Sequence, residues 1–286
     1  MKSIGFNSGI RYDWHVLDVI SVFEQTGVKY VELWGAPPHA DLTDQRLIRS
    51  LNEIQNRSAI DIVAVHPPAR GVWNIAAKAR EDREKALALL KKILDNLLQL
   101  GVEKMVLHPG EHRPAAALAA QDALKCSAES INILLDYMAG RNQQLCVENT
   151  LPHHIGGSLE ELSWLDEQTG KRFSFTLDTS HASLGREKIG DYVKYFGSRL
   201  RHTHLSDNFG SHDDHLPPGD GAVDFPPLLR LISQNSFLDY WMLEVLEAPG
   251  VKRLPDLIEY SRKRFLELLS KTFSRPHGRR VSRLSE

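Results

Sequence analysis

Eight short apolar runs punctuate the chain, at positions 3–7, 29–33, 61–66, 104–108, 144–148, 173–178, 201–206 and 240–245. Each is too short for a stable helix and is bounded by polar or turn-forming residues, so each reads as a β-strand. Amphipathic stretches lie between them. In 79–100, Leu87, Leu90, Leu94 and Leu97 recur at three- and four-residue steps among Lys, Glu and Asp, which puts them on one face of a helix, and Gly101 follows as a C-cap. Asp41-Leu42-Thr43 ahead of 45–56, Ser158 ahead of 159–168, and Pro255 in the first turn of the last helical stretch supply start signals. Strands that alternate with helices specify a parallel sheet. An open doubly wound sheet would show the same alternation, but it usually carries a glycine-rich phosphate loop after its first strand, and Ser3-Ile4-Gly5-Phe6-Asn7-Ser8-Gly9 lacks that spacing. Eight units favour closure into an α/β fold, a single-domain (β/α)8 barrel.

The carboxyl ends of six of these runs carry a side chain that metals favour: His66, His108, Glu148, Asp178, His204 and Glu244. In a closed barrel all strands end at one mouth, so these residues would become neighbours despite their separation along the chain. Imidazole nitrogen and carboxylate oxygen together suit zinc, manganese, cobalt or iron(II), and a carboxylate can bridge two ions. A turn-capping role is an ordinary fate for a His or Asp at a strand end. Glu148 and Glu244 are harder to explain that way, because a carboxylate at the inner end of a buried strand is costly unless paired or ligated. Two further clusters follow, Asp178-Thr179-Ser180-His181 and the segment from His202 to Gly221 that includes Asp213 and His215.

Composition narrows the field. The chain has 286 residues, 42% hydrophobic and 25% charged, near the size one closed α/β barrel needs. A net charge of −2 offers no global basic field for a polyanion, so nucleic acid is not an expected partner. Two cysteines, Cys126 and Cys146, without CxxC spacing suggest neither a disulfide framework nor a zinc-thiolate site. No charged-then-apolar leader opens the sequence and no apolar run is long enough to span a bilayer, so a cytoplasmic enzyme with no membrane partner is expected. Positions 271–286 hold five basic residues and one acidic residue with few apolar ones, and read as a basic, flexible tail after a domain of 1–270.

The His108-Pro109-Gly110, Glu148-Asn149, Leu177-Asp178-Thr179-Ser180-His181 and His204-Leu205-Ser206-Asp207 segments, and Asp213-Asp214-His215 followed by Gly219-Asp220-Gly221, stand in the order of a known motif set. Over 1–270 the chain resembles the xylose isomerase-like TIM barrel superfamily, which joins sugar isomerases and epimerases to AP endonucleases of the endonuclease IV type. On the endonuclease pattern the resemblance implies His66, His108 and Glu148 around one ion, Glu148, Asp178, His204 and Glu244 around a second, and His181, Asp213 and His215 around a third. On the sugar-enzyme pattern it implies one ion on Glu148, Asp178, His204 and Glu244, with Glu148 and Glu244 as the acid/base pair and His181 beside the substrate. The cofactor is thus one to three divalent ions, zinc or manganese first, with cobalt, iron or magnesium compatible. The substrate would be a small sugar, sugar phosphate or cyclitol, or alternatively a phosphodiester. Asp214 stands where the endonuclease pattern has Arg, Ala69 where it has an aromatic, and Trp34-Gly35-Ala36-Pro37-Pro38-His39 offers no Arg to wedge into DNA. These departures favour isomerisation or epimerisation. A homo-oligomer is compatible with the pattern.

Other residues carry weaker expectations. Trp34 and Trp73 could stack on a sugar but read first as packing. Glu32 and Asn7 could meet substrate hydroxyls or cap turns. His202 should point the same way as His204, two residues on. Arg70 and Arg186 are candidates for a substrate phosphate. His15, His39, His112, His153, His154, His212 and His277 carry no ligand assignment.

Overall fold

The computed structural model describes residues 2–274. Its eight strands are β1 (Ser3–Asn7), β2 (Tyr30–Trp34), β3 (Asp61–His66), β4 (Lys104–Leu107), β5 (Gln144–Glu148), β6 (Ser174–Asp178), β7 (Leu200–His204) and β8 (Tyr240–Leu243). Neighbouring strands pair in parallel in the order β7-β6-β5-β4-β3-β2-β1-β8. Closure comes from Leu205, just beyond β7: its N–H donates to the Met242 carbonyl at 2.8 Å and its carbonyl accepts from Glu244 N–H at 3.3 Å. The result is a single-domain (β/α)8 barrel, as the alternation predicts. The run read as 201–206 therefore ends as a strand at His204, and its last two residues serve the barrel's seam.

The helices are α1 (Val16–Gln25), α2 (Gln45–Arg57), α3 (Arg80–Leu100), α4 (Ala117–Tyr137), α5 (Leu159–Gln168), α6 (Thr179–Ser183), α7 (Ile189–Phe196), α8 (Phe225–Ser233) and α9 (Leu254–Phe273). In α3 the predicted stripe, Leu87, Leu90, Leu94 and Leu97, is buried, and Gly101 ends the helix at φ 68°. Ser158 caps α5 by accepting from Glu161 N–H at 3.2 Å. The cap of α2 is Asp44, whose Oδ1 accepts from Arg46 N–H at 2.8 Å, whereas Asp41 stabilises the preceding turn through Thr43 N–H at 2.9 Å. Positions 271–273, read from sequence as the start of a tail, still belong to α9. Positions 275–286, with the remaining basic residues and His277, lie outside the described residues. Among the described residues no helix is long and apolar enough to cross a membrane.

Each strand sorts its side chains into two environments. Phe6, Val31, Leu33, Val65, Met105, Leu107, Leu145, Val147, Phe175, Leu177, Trp241 and Leu243 join the apolar layer shared with the helices. The alternate positions, such as Ala64, Val106, Cys146 and Met242, are buried without joining that layer and fill the barrel's interior. Gly5 belongs to this interior set, because a Cβ there would lie 2.8 Å from Met242 Cε. One step further along the same inward-facing rows come Asn7, His66, His108, Glu148, Asp178, His204 and Glu244, so the period of two that builds the core also aims the chemistry at the mouth.

Candidate metal centre

Glu148, at the last position of β5, is the hub. Its Oε1 accepts from His204 Nδ1 at 2.8 Å, and its Oε2 stands 3.1 Å from both His66 Nε2 and His108 Nε2. The last two contacts are out of line for hydrogen bonds, which leaves Glu148 Oε2 and His108 Nε2 buried without a hydrogen-bond partner. Glu244, just past β8, brings its Oε2 to 3.0 Å from the same His204 Nδ1. Two carboxylates, from strands on either side of β7, thus share one ring nitrogen.

Asp178 ends β6 and begins α6. Its Oδ1 caps the helix by accepting from His181 N–H at 2.7 Å, and its Oδ2 is buried without a partner. His181 is held at both nitrogens, with Nδ1 3.0 Å from the Asn149 carbonyl and Nε2 3.1 Å from Asp213 Oδ2. The same Asp213 oxygen lies 3.0 Å from His215 Nε2. All nine residues picked out as candidate ligands therefore gather in one connected cluster.

Burial and charge pull in opposite directions throughout this cluster. Burial pushes the Glu148 carboxyl upward, but His204 and His108 outweigh it and hold the group well below the carboxylate range. Glu244 behaves likewise, brought down to about 2 against its burial by His204 and His215. Asp178 goes the other way: burial dominates and pushes it up to about 7. Burial opposes protonation of His181, His204 and His215, yet the surrounding carboxylates raise all three, His215 to about 9. Unpartnered carboxylate and imidazole atoms among neighbours poised to ionise are what a divalent cation would satisfy, and a mixed nitrogen and oxygen donor set fits a borderline ion of the zinc or manganese kind.

A layer of buried polar side chains lies beneath this cluster. Glu32, in β2, is fully buried; its carboxylate accepts from Asn7 Nδ2 at 2.5 Å and His202 Nε2 at 2.7 Å and lies 2.8 Å from His204 Nε2. The contact with His204 is an ion pair rather than an aligned hydrogen bond, since His204 Nε2 has no hydrogen-bond partner, but it sets a negative charge behind the ring and leaves Nδ1 facing the mouth. The signal was present in the sequence, since Glu32 occupies an inward position of its strand and His202 and His204 share a face. Asp207, part of a motif but without an assigned role, turns away from the cluster. Its two oxygens accept from the N–H groups of Asn208, Gly219, Gly221 and Val223 at 2.9–3.0 Å and so shape the loop that carries Asp213 and His215.

Above the cluster opens a cavity of about 560 Å³, whose walls include Tyr12, Trp34, Pro67, Pro68, Arg70, Leu151 and Leu246 and whose floor includes His66, His108, His181, Asp213, His215 and Glu244. Trp34, read first as packing, lines this space, with Tyr12 edge-on to it at 6.1 Å. Trp73 does not; it packs against the apolar layer. Arg70 lines the cavity and Arg186 lies exposed outside its lining. His39 is a core residue, bonded to Ser8 Oγ at 3.0 Å and the Trp14 carbonyl at 2.6 Å.

The chain is 22% identical over 231 residues to a fructoselysine 3-epimerase of Escherichia coli O157:H7, covering 78% of this chain and 82% of that one. It is 28% identical over 214 residues to a Chloroflexus aurantiacus protein named "Probable endonuclease 4", covering 68% of this chain and 73% of that one. A crystal structure of an IOLI protein with a bound zinc atom superposes with a TM-score of 0.78 at 18% identity, covering 96% of this chain and all of the other. Residues 20–265 match the model of one family, and the chain belongs to it: the xylose isomerase-like TIM barrel family.

Proposed function

We propose that this protein is a divalent-metal-dependent isomerase or epimerase of a small sugar, sugar phosphate or cyclitol, with Glu148 and Glu244 as its proton-transfer pair. The observation that carries this reading is that both carboxylates approach His204 Nδ1, at 2.8 and 3.0 Å, from strands on either side of β7, with Glu244 reaching the floor of the cavity. Glu148, Asp178, His204 and Glu244 would hold the ion, which when bound supplies a Lewis acid for the carbonyl and hydroxyl oxygens of the substrate.

The remaining work falls to the chain's own groups. A base must stand beside the carbon that loses its proton, and an acid must return one to the same or the adjacent carbon. Both glutamates are held ionised at neutral pH by the imidazoles around them, so either can accept a proton through a carboxylate oxygen. Placed on two sides of a bound sugar, they can take a proton from one face and return it on the other. His181, fixed at both nitrogens, presents a ring of set orientation beside the substrate and can donate to a substrate hydroxyl only by exchanging its Nε2 contact with Asp213. Trp34, Pro67, Pro68 and Leu246 wall off water and offer apolar surface to the sugar ring. The epimerase relative supports this assignment.

Turnover in D2O tests it: the reading expects deuterium at the substrate carbon, abolished in Glu244→Gln. Full exchange in that variant would remove Glu244 from the pair.

A second reading, a multinuclear zinc phosphoester hydrolase, is favoured by one observation. His66, His108 and His181 meet the hub and Asp213 and His215 extend the cluster through His181, together more donors than a single ion takes, and one relative bears the endonuclease name. It expects cleavage of an abasic-site duplex or a simple phosphodiester, lost in His108→Ala or His215→Ala.

A further inference from the structure

Three more imidazoles meet on the rim of the barrel, and none belongs to the ligand set above. His112 lies in the segment after β4, and His153 and His154 in the segment after β5. The two segments run antiparallel there: Arg113 N–H donates to the His153 carbonyl at 2.8 Å, Ile155 N–H donates to the Glu111 carbonyl at 3.0 Å, and His112 faces His154 across the bridge. This backbone pairing brings the rings together, with centroids 5.2 Å apart for His112 and His153, 4.6 Å for His112 and His154, and 4.5 Å for His153 and His154. One nitrogen from each lies within 4.8 Å of the others.

A second observation points to a ligand. His154 is only 5% exposed, and its Nε2 is buried with no hydrogen-bond partner. Most buried polar side-chain atoms have a hydrogen-bond partner, so an orphaned ring nitrogen beside two exposed histidines marks bonding capacity that a ligand would meet. Burial, then the neighbouring His153, hold the His154 imidazolium down to about 3, so this ring is the free base that metals require.

We propose that His112, His153 and His154 form a second site, for a divalent transition-metal ion of the zinc class, that clamps the loop after β4 to the loop after β5. Imidazole suits zinc, copper and nickel, and three protein donors leave a position open to water. Tetrahedral ligation at zinc–nitrogen distances near 2.0 Å needs nitrogens about 3.4 Å apart. His112 and His153 are exposed and free to swing inward, whereas His154 is fixed, so closing the gap requires only side-chain rotation. Glu111 and His154 also line the substrate cavity, so an ion here would stiffen one of its walls.

The test counts zinc equivalents by equilibrium dialysis of metal-free wild type, the His112→Ala/His153→Ala double variant and Glu148→Gln, with zinc positions located by anomalous diffraction of the wild type. Both replaced rim histidines are exposed, so the double variant keeps the fold, which circular dichroism verifies. The expected result is one equivalent fewer in the double variant, that equivalent retained in Glu148→Gln, and an anomalous peak against the three rings. Equal stoichiometry in wild type and double variant, no peak at the rings, filling only at millimolar zinc, or loss of the rim equivalent in Glu148→Gln would each overturn the proposal.

Discussion

Replacing Glu32 by Gln removes one negative charge from the floor of the barrel mouth and leaves the side chain's volume almost unchanged. In the native protein this carboxylate meets Asn7 Nδ2 at 2.5 Å, His202 Nε2 at 2.7 Å and His204 Nε2 at 2.8 Å, with no solvent exposure. Burial alone would push the Glu32 carboxyl up, yet His204 and His202 hold it well below its usual range, so it is an ion among donors. Removing one partner of a buried charged pair typically costs about 3–5 kcal/mol, because the other partner is left uncompensated. A Gln can retain one acceptor but turns an N–H2 toward a position that now receives an N–H, so the full cost is expected. Glu32 also fixes which nitrogen of His204 faces the mouth, and losing such a group behind a metal-bound His costs about 10–100-fold in metal affinity. Urea unfolding of metal-free protein measures the first effect, and competition with a chromophoric zinc chelator measures the second. A stability change below about 0.5 kcal/mol, the range of ordinary surface substitutions, would refute the buried-ion argument. A large loss of stability with unchanged zinc affinity would refute the orienting role.

Metal-free protein should lose thermal stability as pH rises from about 6.5 to 9, the interval between an ordinary histidine and the raised His215. A raised folded-state value stabilises the fold below the unfolded value and withdraws that help as pH climbs through the folded one. His181 and His204 act in the same sense, and the lowered Glu244 is fully ionised in both states across this window. Saturating zinc, which binds the deprotonated rings, should flatten the trend or reverse it; a melting temperature that rises with pH in metal-free protein would contradict the assignment. Asp207→Ala strands four backbone N–H groups and should cost about 3 kcal/mol or more, with faster proteolysis between positions 208 and 224. Gly221→Ala should reproduce that lesion by steric means, since a Cβ would sit 2.3 Å from the Asn208 carbonyl oxygen. Phe175→Ala removes a fully buried ring stacked on Phe196 at 3.9 Å and should cost about 3–5 kcal/mol in urea unfolding, with zinc stoichiometry unchanged because it faces the helices.

The strand and helix pattern was legible from local chemistry alone. Apolar runs of strand length, the leucine stripe of α3 and the caps at Ser158 and Gly101 are decided by side chains within a few residues of one another, and eight such units leave little choice but closure. The ligand candidates were legible for the same reason. A two-residue period fixes which side of a strand a residue faces, so Glu148 or Asp178 at an inward strand end declares its direction before any partner is known. What the sequence could not determine was who meets whom. Glu32 and His204 are 172 positions apart by their numbers, and only the curvature of a closed sheet makes their side chains touch. Asp207 shares a motif with His204 yet faces a loop, because the chain leaves the strand at Leu205 to seal the barrel. The rim histidines look ordinary one by one; His112 stands 41 positions before His153, and it took the pairing of two loops to bring them together and leave His154 without a partner. Direction along an element is a local property of the chain, whereas proximity between elements is settled by the energy of packing the whole barrel.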